Sequence, residues 1–380
     1  MRKLILASAG AGKSHLIAQK ALEKSAEEKN VLVLTYTENN QKELLEKICR
    51  QNNFKPSNII IKGWFRFLLE DMIRPYQSCI FSKRISNIHF NKNGDPHKNN
   101  GTTIPGTAEK IGADYNPIHF LTRTSDKAHT TYLSKLATRI VKENNQKNTQ
   151  RIAEIYDTIF IDEVQDLIGW DFNVVEALAK IDDLSFFCVG DFRQTVYSTH
   201  STSKKPKTNT EKIVRFQKIG FTPEYMNISW RCAQPICDFA RLIHADENLY
   251  PVTTSKLENI PDPYSEHIGV FTVSENDHEN YITRYNPVIL RLNRLTKNNL
   301  CNSLERYNFG ESKGLGFDRV LIYPTKKQKN FLTGNRTIFS TDKTDSAKNI
   351  LYVASTRARY SVAFLQEDES NISIVNKWTG

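Results

Sequence analysis

Two stretches decide the fold: Ala7-Ser8-Ala9-Gly10-Ala11-Gly12-Lys13-Ser14, behind the apolar run Lys3-Leu4-Ile5-Leu6, and Asp162-Glu163-Val164-Gln165-Asp166, behind Thr158-Ile159-Phe160-Ile161. The first reads as a glycine-rich turn between a buried strand and a helix, since Ser14 to Leu22 has helical composition. Such a turn aims successive backbone N–H groups at an anion held at the helix N-terminus. Gly10 and Gly12 allow a close backbone approach that a side chain would block, and Ala9 and Ala11 complete the cradle. Lys13 is expected to reach the β- and γ-phosphates, and Ser14 to place its hydroxyl on Mg²⁺. The second stretch reads as the acidic end of a neighbouring strand. There Asp162 is expected to hold Mg²⁺ through water and Glu163 to orient or deprotonate the attacking water. An isolated Asp-Glu pair commonly just ends a strand; paired with a phosphate loop it predicts binding and hydrolysis of a nucleoside triphosphate, with ATP and Mg²⁺ as the ligands.

Further segments follow in a fixed order. Val31-Leu32-Val33-Leu34-Thr35-Tyr36-Thr37 reads as a second strand, and Leu44, Leu45 and Ile48 give the next helix one apolar face. Then come Trp64-Phe65-Arg66-Phe67-Leu68-Leu69, Gly190-Asp191-Phe192-Arg193-Gln194-Thr195-Val196-Tyr197, Asn227-Ile228-Ser229-Trp230-Arg231-Cys232, Ser312-Lys313-Gly314 and Tyr352-Val353-Ala354-Ser355-Thr356-Arg357. In this order they resemble the motifs of superfamily 1 helicases of the UvrD/Rep/PcrA type. The resemblance implies an α/β fold: two RecA-like P-loop NTPase domains with parallel sheets, a reduced accessory insertion in the first and no large accessory domain in the second. It further implies that Gln194, Arg231 and Arg357 sense the γ-phosphate, Arg357 as an arginine finger worth about 10³–10⁵ in rate. Trp230 would stack on the adenine and Gly314 would lie at the nucleotide. Thr35, Tyr36, Trp64 and Tyr197 would meet single-stranded nucleic acid, although most aromatics of the Trp64 segment also suit a plain core.

The chain departs from the family in four places. Ala7 replaces the first loop glycine, the Thr and His expected around Trp64 are missing, Ser198-Thr199-His200-Ser201 stands in place of a base-stacking WRGA, and Gly316 replaces a sugar-contacting glutamate. These departures put unaided unwinding and sugar selectivity in question more than hydrolysis. Only Met1-Arg2 precedes the first strand, so the glutamine segment with which relatives read adenine is not expected, and discrimination among purine triphosphates should be weak.

The motifs place residues 1–77 and 151–220 in the first RecA-like domain, 78–150 in the reduced insertion and 221–380 in the second RecA-like domain. Arg231 and Ser312 are only about eighty positions apart, room to complete that domain but not for a large insertion. Within 78–150, Asn87 to Gly106 reads as loop and Ala128 to Asn144 as helix, with Leu133, Leu136 and Ile140 at helical spacing. The insertion suits a basic flap over a single strand, a docking surface, or a solvated loop without a task.

The 380 residues hold 52 Lys and Arg against 42 Asp and Glu, a net charge of +10, which suits a polyanion and gives salt-sensitive affinity for phosphates. The resemblance favours single-stranded DNA, with RNA left open. The six cysteines show neither metal-ligand spacing nor a disulfide framework. No apolar run approaches membrane-spanning length, so a cytoplasmic protein with no membrane partner is expected. Two functional classes stay open: an ATP-driven single-strand translocase or helicase, and a nucleotide- and DNA-sensing subunit that controls a partner without sustained movement. In either, the compact form resembles the UvrD-like ATPases of Gabija-type antiphage systems, whose partner is an OLD-type nuclease. A small-molecule kinase would explain the phosphate loop and acidic strand but not Arg231, Lys313-Gly314 or Arg357.

Overall fold

The computed structural model describes residues 1–91, 94–124, 126–196, 204–246, 249–297, 300, 304–342, 344–367 and 374–380. Tyr197, the Ser198–Ser201 stretch and Cys301 lie outside them. The chain divides into two units by contact: Met1–Ile5, Lys13–Gly190 and Ser198–Glu224 form one, and Leu6–Gly12, Asp191–Tyr197 and Tyr225–Gly380 the other.

The first unit is built on a six-stranded sheet in the order Thr222–Met226, Arg2–Ala7, Ser185–Gly190, Thr158–Ile161, Val31–Thr35, Ile59–Gly63. Thr158–Ile161 pairs in parallel with both of its neighbours, and Val31–Thr35 pairs in parallel with Ile59–Gly63. Every residue of Val31–Thr35 and of Thr158–Ile161 is buried. Strands covered on both faces read as unbroken apolar runs, which is why these two were plain in the sequence. The acidic strand was expected beside the phosphate-loop strand, but Ser185–Gly190 lies between them. Lys13–Ala26 is the helix that follows the loop, burying Ile17, Ala18 and Ala21. Glu38–Asn52 is capped by the Thr37 side chain, which accepts from Asn40 N–H, and it ends at Asn53 with φ 62°. Its buried face carries Leu44 and Ile48, while Leu45 is 41% exposed. Consecutive helical residues point about 100° apart, so Leu45 leaves the face it was assigned to.

The insertion is more structured than a loop. Asn87–His89 pairs in parallel with Lys127–His129, and two small antiparallel ribbons join Lys98–Asn99 to Thr102–Thr103 and Lys110–Ile111 to Asp114–Tyr115. The expected helix runs Thr130–Glu143 and buries Leu133, Leu136, Ala137, Ile140 and Val141.

The second unit carries a parallel six-stranded sheet in the order Arg306–Asn308, Val288–Arg291, Phe317–Ile322, Ala358–Gln366, Gly269–Ser274, Asn376–Lys377. Its strands alternate between two apolar layers, as a period of two requires. Leu290, Val320, Ile322, Val362 and Phe364 pack on one side with Ile236, Phe239, Leu351 and Tyr352 from the helices Gln234–Ile243 and Ser346–Ser355. Ile289, Leu321, Ala363 and Leu365 pack on the other with Tyr281, Tyr323 and Trp378. The architecture is the expected α/β class with two RecA-like sheets. Among the described residues no helix is long and apolar enough to cross a membrane, and Cys49, Cys79, Cys188, Cys232 and Cys237 are free thiols.

Candidate nucleotide and nucleic-acid sites

In the first unit, Lys13 opens the helix Lys13–Ala26 with Ser14 beside it. Lys13 Nζ lies 3.9 Å from Glu163 Oε1, both side chains mostly buried. Asp162 sits at the buried end of its strand; its N–H donates to Leu34 O at 2.8 Å and its Oδ1 accepts from Glu163 N–H at 2.9 Å. Burial, reinforced by the charge of Glu163, pushes the Asp162 carboxyl up while Lys13 pulls it down. A carboxylate that is costly to ionise in place is one that a divalent cation stabilises strongly. This donor set suits Mg²⁺, which Ser14 and Asp162 would hold beside a bound phosphate. It does not fit an all-protein cage, since among the described residues no three His, Cys, Asp or Glu side chains come together as metal ligands.

Glu163 adopts φ 55°, a conformation uncommon for a non-glycine residue, and turns its carboxylate back toward Lys13. The Gln165 amide donates to Glu163 Oε2. Gln165 is itself fully buried, its backbone O held by Lys212 Nζ at 2.6 Å, and its side chain occupies the space a Cβ at Gly190 would fill. Gln165 was visible within the acidic motif, but nothing in the sequence showed that it orients the candidate base.

The candidate nucleic-acid residues of this unit do not all reach the surface. Thr35 is completely buried and Trp64 is 1% exposed, its indole N–H donating to Asp171 Oδ1 at 3.0 Å. Neither can touch a strand: Trp64 is a core residue tied to a buried carboxylate. Tyr36 is half-buried and meets Phe65 edge-on at 6.0 Å, and Phe65 meets Phe90 edge-on at 6.0 Å. Phe90 is 63% exposed. Tyr36, Phe65 and Phe90 thus form a contiguous aromatic run that reaches the surface, the last contributed by the insertion. Phe65 lies in the Trp64 segment, most of whose aromatics suit a core, and Phe90 has no sequence signal because its neighbours in space are distant in number.

In the second unit, the turn of the phosphate loop is held by the segment around Arg231. Ser229 Oγ donates to Ala9 O at 2.9 Å and Trp230 N–H to Gly10 O at 3.0 Å. Gly10 has φ +73°, and a Cβ there would lie 2.6 Å from Arg231 Cβ. Glycine is required on both counts, conformation and space. Ala11 is buried and Gly12 has φ +81°. The Arg231 guanidinium makes no hydrogen bond or ion pair with any described residue. Trp230 is 58% exposed, with Lys256 Nζ 5.5 Å from the ring centroid. Gly314 is exposed at φ +90°, with nothing within 4 Å of the Cβ position.

Gln194 and Arg357 are brought together. Arg357 Nη2 donates to Gln194 Oε1 at 3.2 Å, Nη1 to Leu315 O at 3.0 Å and Nε to Val353 O at 3.1 Å. Arg357 is 1% exposed, so unlike Arg231 it is committed to protein acceptors. Gln194 Nε2 donates to Asp191 Oδ2 at 2.9 Å, and the Asp191–Arg193 ion pair beside it is buried. Burial works against the Arg193 charge, but Asp191 and its hydrogen bond outweigh it and raise the guanidinium pKa.

A family model described as an AAA domain matches residues 2–200. No curated protein matches the chain. Among the solved structures, 162 chains match. One is described as "Complex structure of Arterivirus nonstructural protein 10 (helicase) with DNA"; it is similar at 12% identity and a TM-score of 0.47, over 97% of this chain and 62% of that one. The present chain therefore spans less than two thirds of that protein.

Proposed function

The chain belongs to the AAA domain family, and from that premise we propose that it hydrolyses ATP and acts on a single nucleic-acid strand, as a motor of the UvrD-like helicase type. The observation that supports this most is the grouping of Lys13, Asp162 and Glu163 at 3.9 Å or less between successive partners. Lys13 neutralises phosphate charge, and Ser14 and Asp162 hold Mg²⁺, which when bound spreads the charge developing on the phosphate oxygens. Glu163, steadied by Gln165, takes the proton of the attacking water, a contribution of about 10²–10⁴ in rate. Arg231, seated on Gly10, offers an uncommitted guanidinium to the terminal phosphate, and the Gln194–Arg357 pair is the second sensor. Trp230 is exposed enough to carry the base.

Tyr36, Phe65 and Phe90 give a sequence-tolerant stacking surface, and the net charge of +10 supports binding of the backbone. The resemblance supports the finer reading: single-stranded DNA as the polymer, and an OLD-type nuclease as partner in phage defence. Co-purification tests the partner. The hydrolytic assignment is tested by Glu163→Gln, which should bind ATP and Mg²⁺ with unchanged affinity and lose turnover by at least about 100-fold. Turnover at the native rate would reject Glu163 as the base.

A further inference from the structure

We propose that Tyr352 is a positioning residue whose hydroxyl ties the phosphate-loop backbone to the Gln194–Arg357 pair, so that the loop's response to a terminal phosphate reaches that sensor. The proposal rests on the nucleotide reading above. Ala9 N–H, an amide of the phosphate loop, donates to Tyr352 Oη at 3.2 Å, and Tyr352 Oη donates to Asp191 Oδ2 at 2.9 Å. The same carboxylate oxygen accepts from Gln194 Nε2 at 2.9 Å, and Gln194 Oε1 in turn accepts from Arg357 Nη2 at 3.2 Å. Four consecutive hydrogen bonds thus run from a loop amide to the arginine.

A second arm runs beside the first. Asp191 Oδ1 accepts from Arg193 Nε at 3.0 Å and from Arg193 N–H at 3.2 Å, and Arg193 Nη2 donates to Ser8 Oγ at 3.0 Å and Ala7 O at 3.3 Å. The Arg193 guanidinium also lies over the Tyr352 ring at 4.8 Å. Asp191, Arg193, Gln194, Tyr352 and Arg357 are each at most 5% exposed. Within such a low-dielectric network, moving one group leaves its partners unpaired, so its members shift together or at a large penalty. Residues 7–9 are held at both ends of the Asp191 carboxylate, and a displacement of Ala9 on phosphate binding pulls on Asp191 and hence on Gln194. Tyr352 lies in the last turn of the helix Ser346–Ser355, and Arg357, two residues beyond its end, donates from Nε back to Val353 O, so the loop and the sensor share one support.

The structure separates this role from plain core packing because the ring and the hydroxyl of Tyr352 have different partners. Tyr352→Phe keeps the ring in its apolar layer and removes only the link. The test compares the wild type with Tyr352→Phe by fluorescent-nucleotide competition with ADP and AMPPNP, and by kcat and KM for ATP. The expected result is ADP affinity within about twofold, a loss of preference for AMPPNP over ADP of about tenfold, and a kcat drop of about tenfold at near-constant KM. Asp191→Asn, which keeps the shape but weakens both arms, should show the same split. Retention of the wild-type AMPPNP-to-ADP ratio and kcat in either folded variant would overturn the relay, as would an equal loss of ADP and AMPPNP affinity, which is what a merely structural role produces. Failure of the underlying reading has its own signature, since nucleotide affinity would then be unchanged in Lys13→Ala.

Discussion

Replacing Gly10 by alanine adds one methyl group at the point where the phosphate loop meets Arg231. The new Cβ would stand 2.6 Å from Arg231 Cβ, 2.8 Å from Ser229 Oγ and 3.2 Å from Arg231 N. Carbon atoms pack comfortably at about 3.5–4.0 Å, so loop and arginine must part by about 1 Å. The φ of +73° adds a conformational cost of about 1–2 kcal/mol for an L-residue. Separation also strains the bonds from Trp230 N–H to Gly10 O and from Ser229 Oγ to Ala9 O, each worth about 0.5–1.5 kcal/mol. The sum is about 2–5 kcal/mol against the arrangement that seats Arg231 on the loop. Expressed in the transition state, its lower end is a loss of about 30-fold in kcat/KM. Steady-state ATPase with a fluorescent-nucleotide titration reads this directly, and circular dichroism confirms that the sheets remain. A folded Gly10→Ala protein within about threefold of wild-type kcat/KM would refute the coupling between Gly10 and Arg231.

Three further outcomes follow from the same geometry. Trp64→Phe removes a hydrogen bond to the buried Asp171 carboxylate, so it should lower stability by about 1.5–3 kcal/mol while leaving single-strand affinity per folded molecule unchanged; weaker DNA binding at constant thermal midpoint would contradict its placement in the core. Phe65→Ala and Phe90→Ala should each weaken single-strand binding by about 1–3 kcal/mol in fluorescence-anisotropy titrations, and unaltered affinity in both would remove the stacking surface. Burial, with His97 and His89 nearby, holds His129 down at about 4, and burial with the Arg319 charge does the same to His267. Both have depressed folded-state pKa values, so the unfolded chain takes up protons that the folded one refuses. Stability should therefore be complete above about pH 6.5 and fall as pH drops toward about 4. Denaturant midpoints at pH 7.5, 6 and 5 check this, and His129→Asn should flatten the fall.

The parts legible in the sequence are those whose chemistry uses neighbouring residues. Gly10, Gly12, Lys13 and Ser14 form one turn, and Asp162 and Glu163 end one fully buried strand, so composition and order suffice to find them. What sequence could not give is which side of an element faces inward. Trp64 and Phe65 are consecutive, yet the first is sealed against Asp171 and the second belongs to an accessible aromatic run; Leu44 and Leu45 part in the same way. The Asp191 network was hidden for a different reason. Its members come from residues 7–9, 191–194 and 352–357, and only the folded second unit brings them within hydrogen-bond range. Asn87 to Gly106 of the insertion looks like loop in sequence because two- and three-residue strands carry too few positions to show a period.

The most direct test of the account is steady-state ATP hydrolysis by the purified chain with Mg²⁺, with and without single-stranded DNA, using Glu163→Gln as the control. The account predicts turnover by the wild type that rises at least about tenfold with DNA and is absent in the variant. Hydrolysis that DNA does not change, or equal turnover by Glu163→Gln, would contradict it.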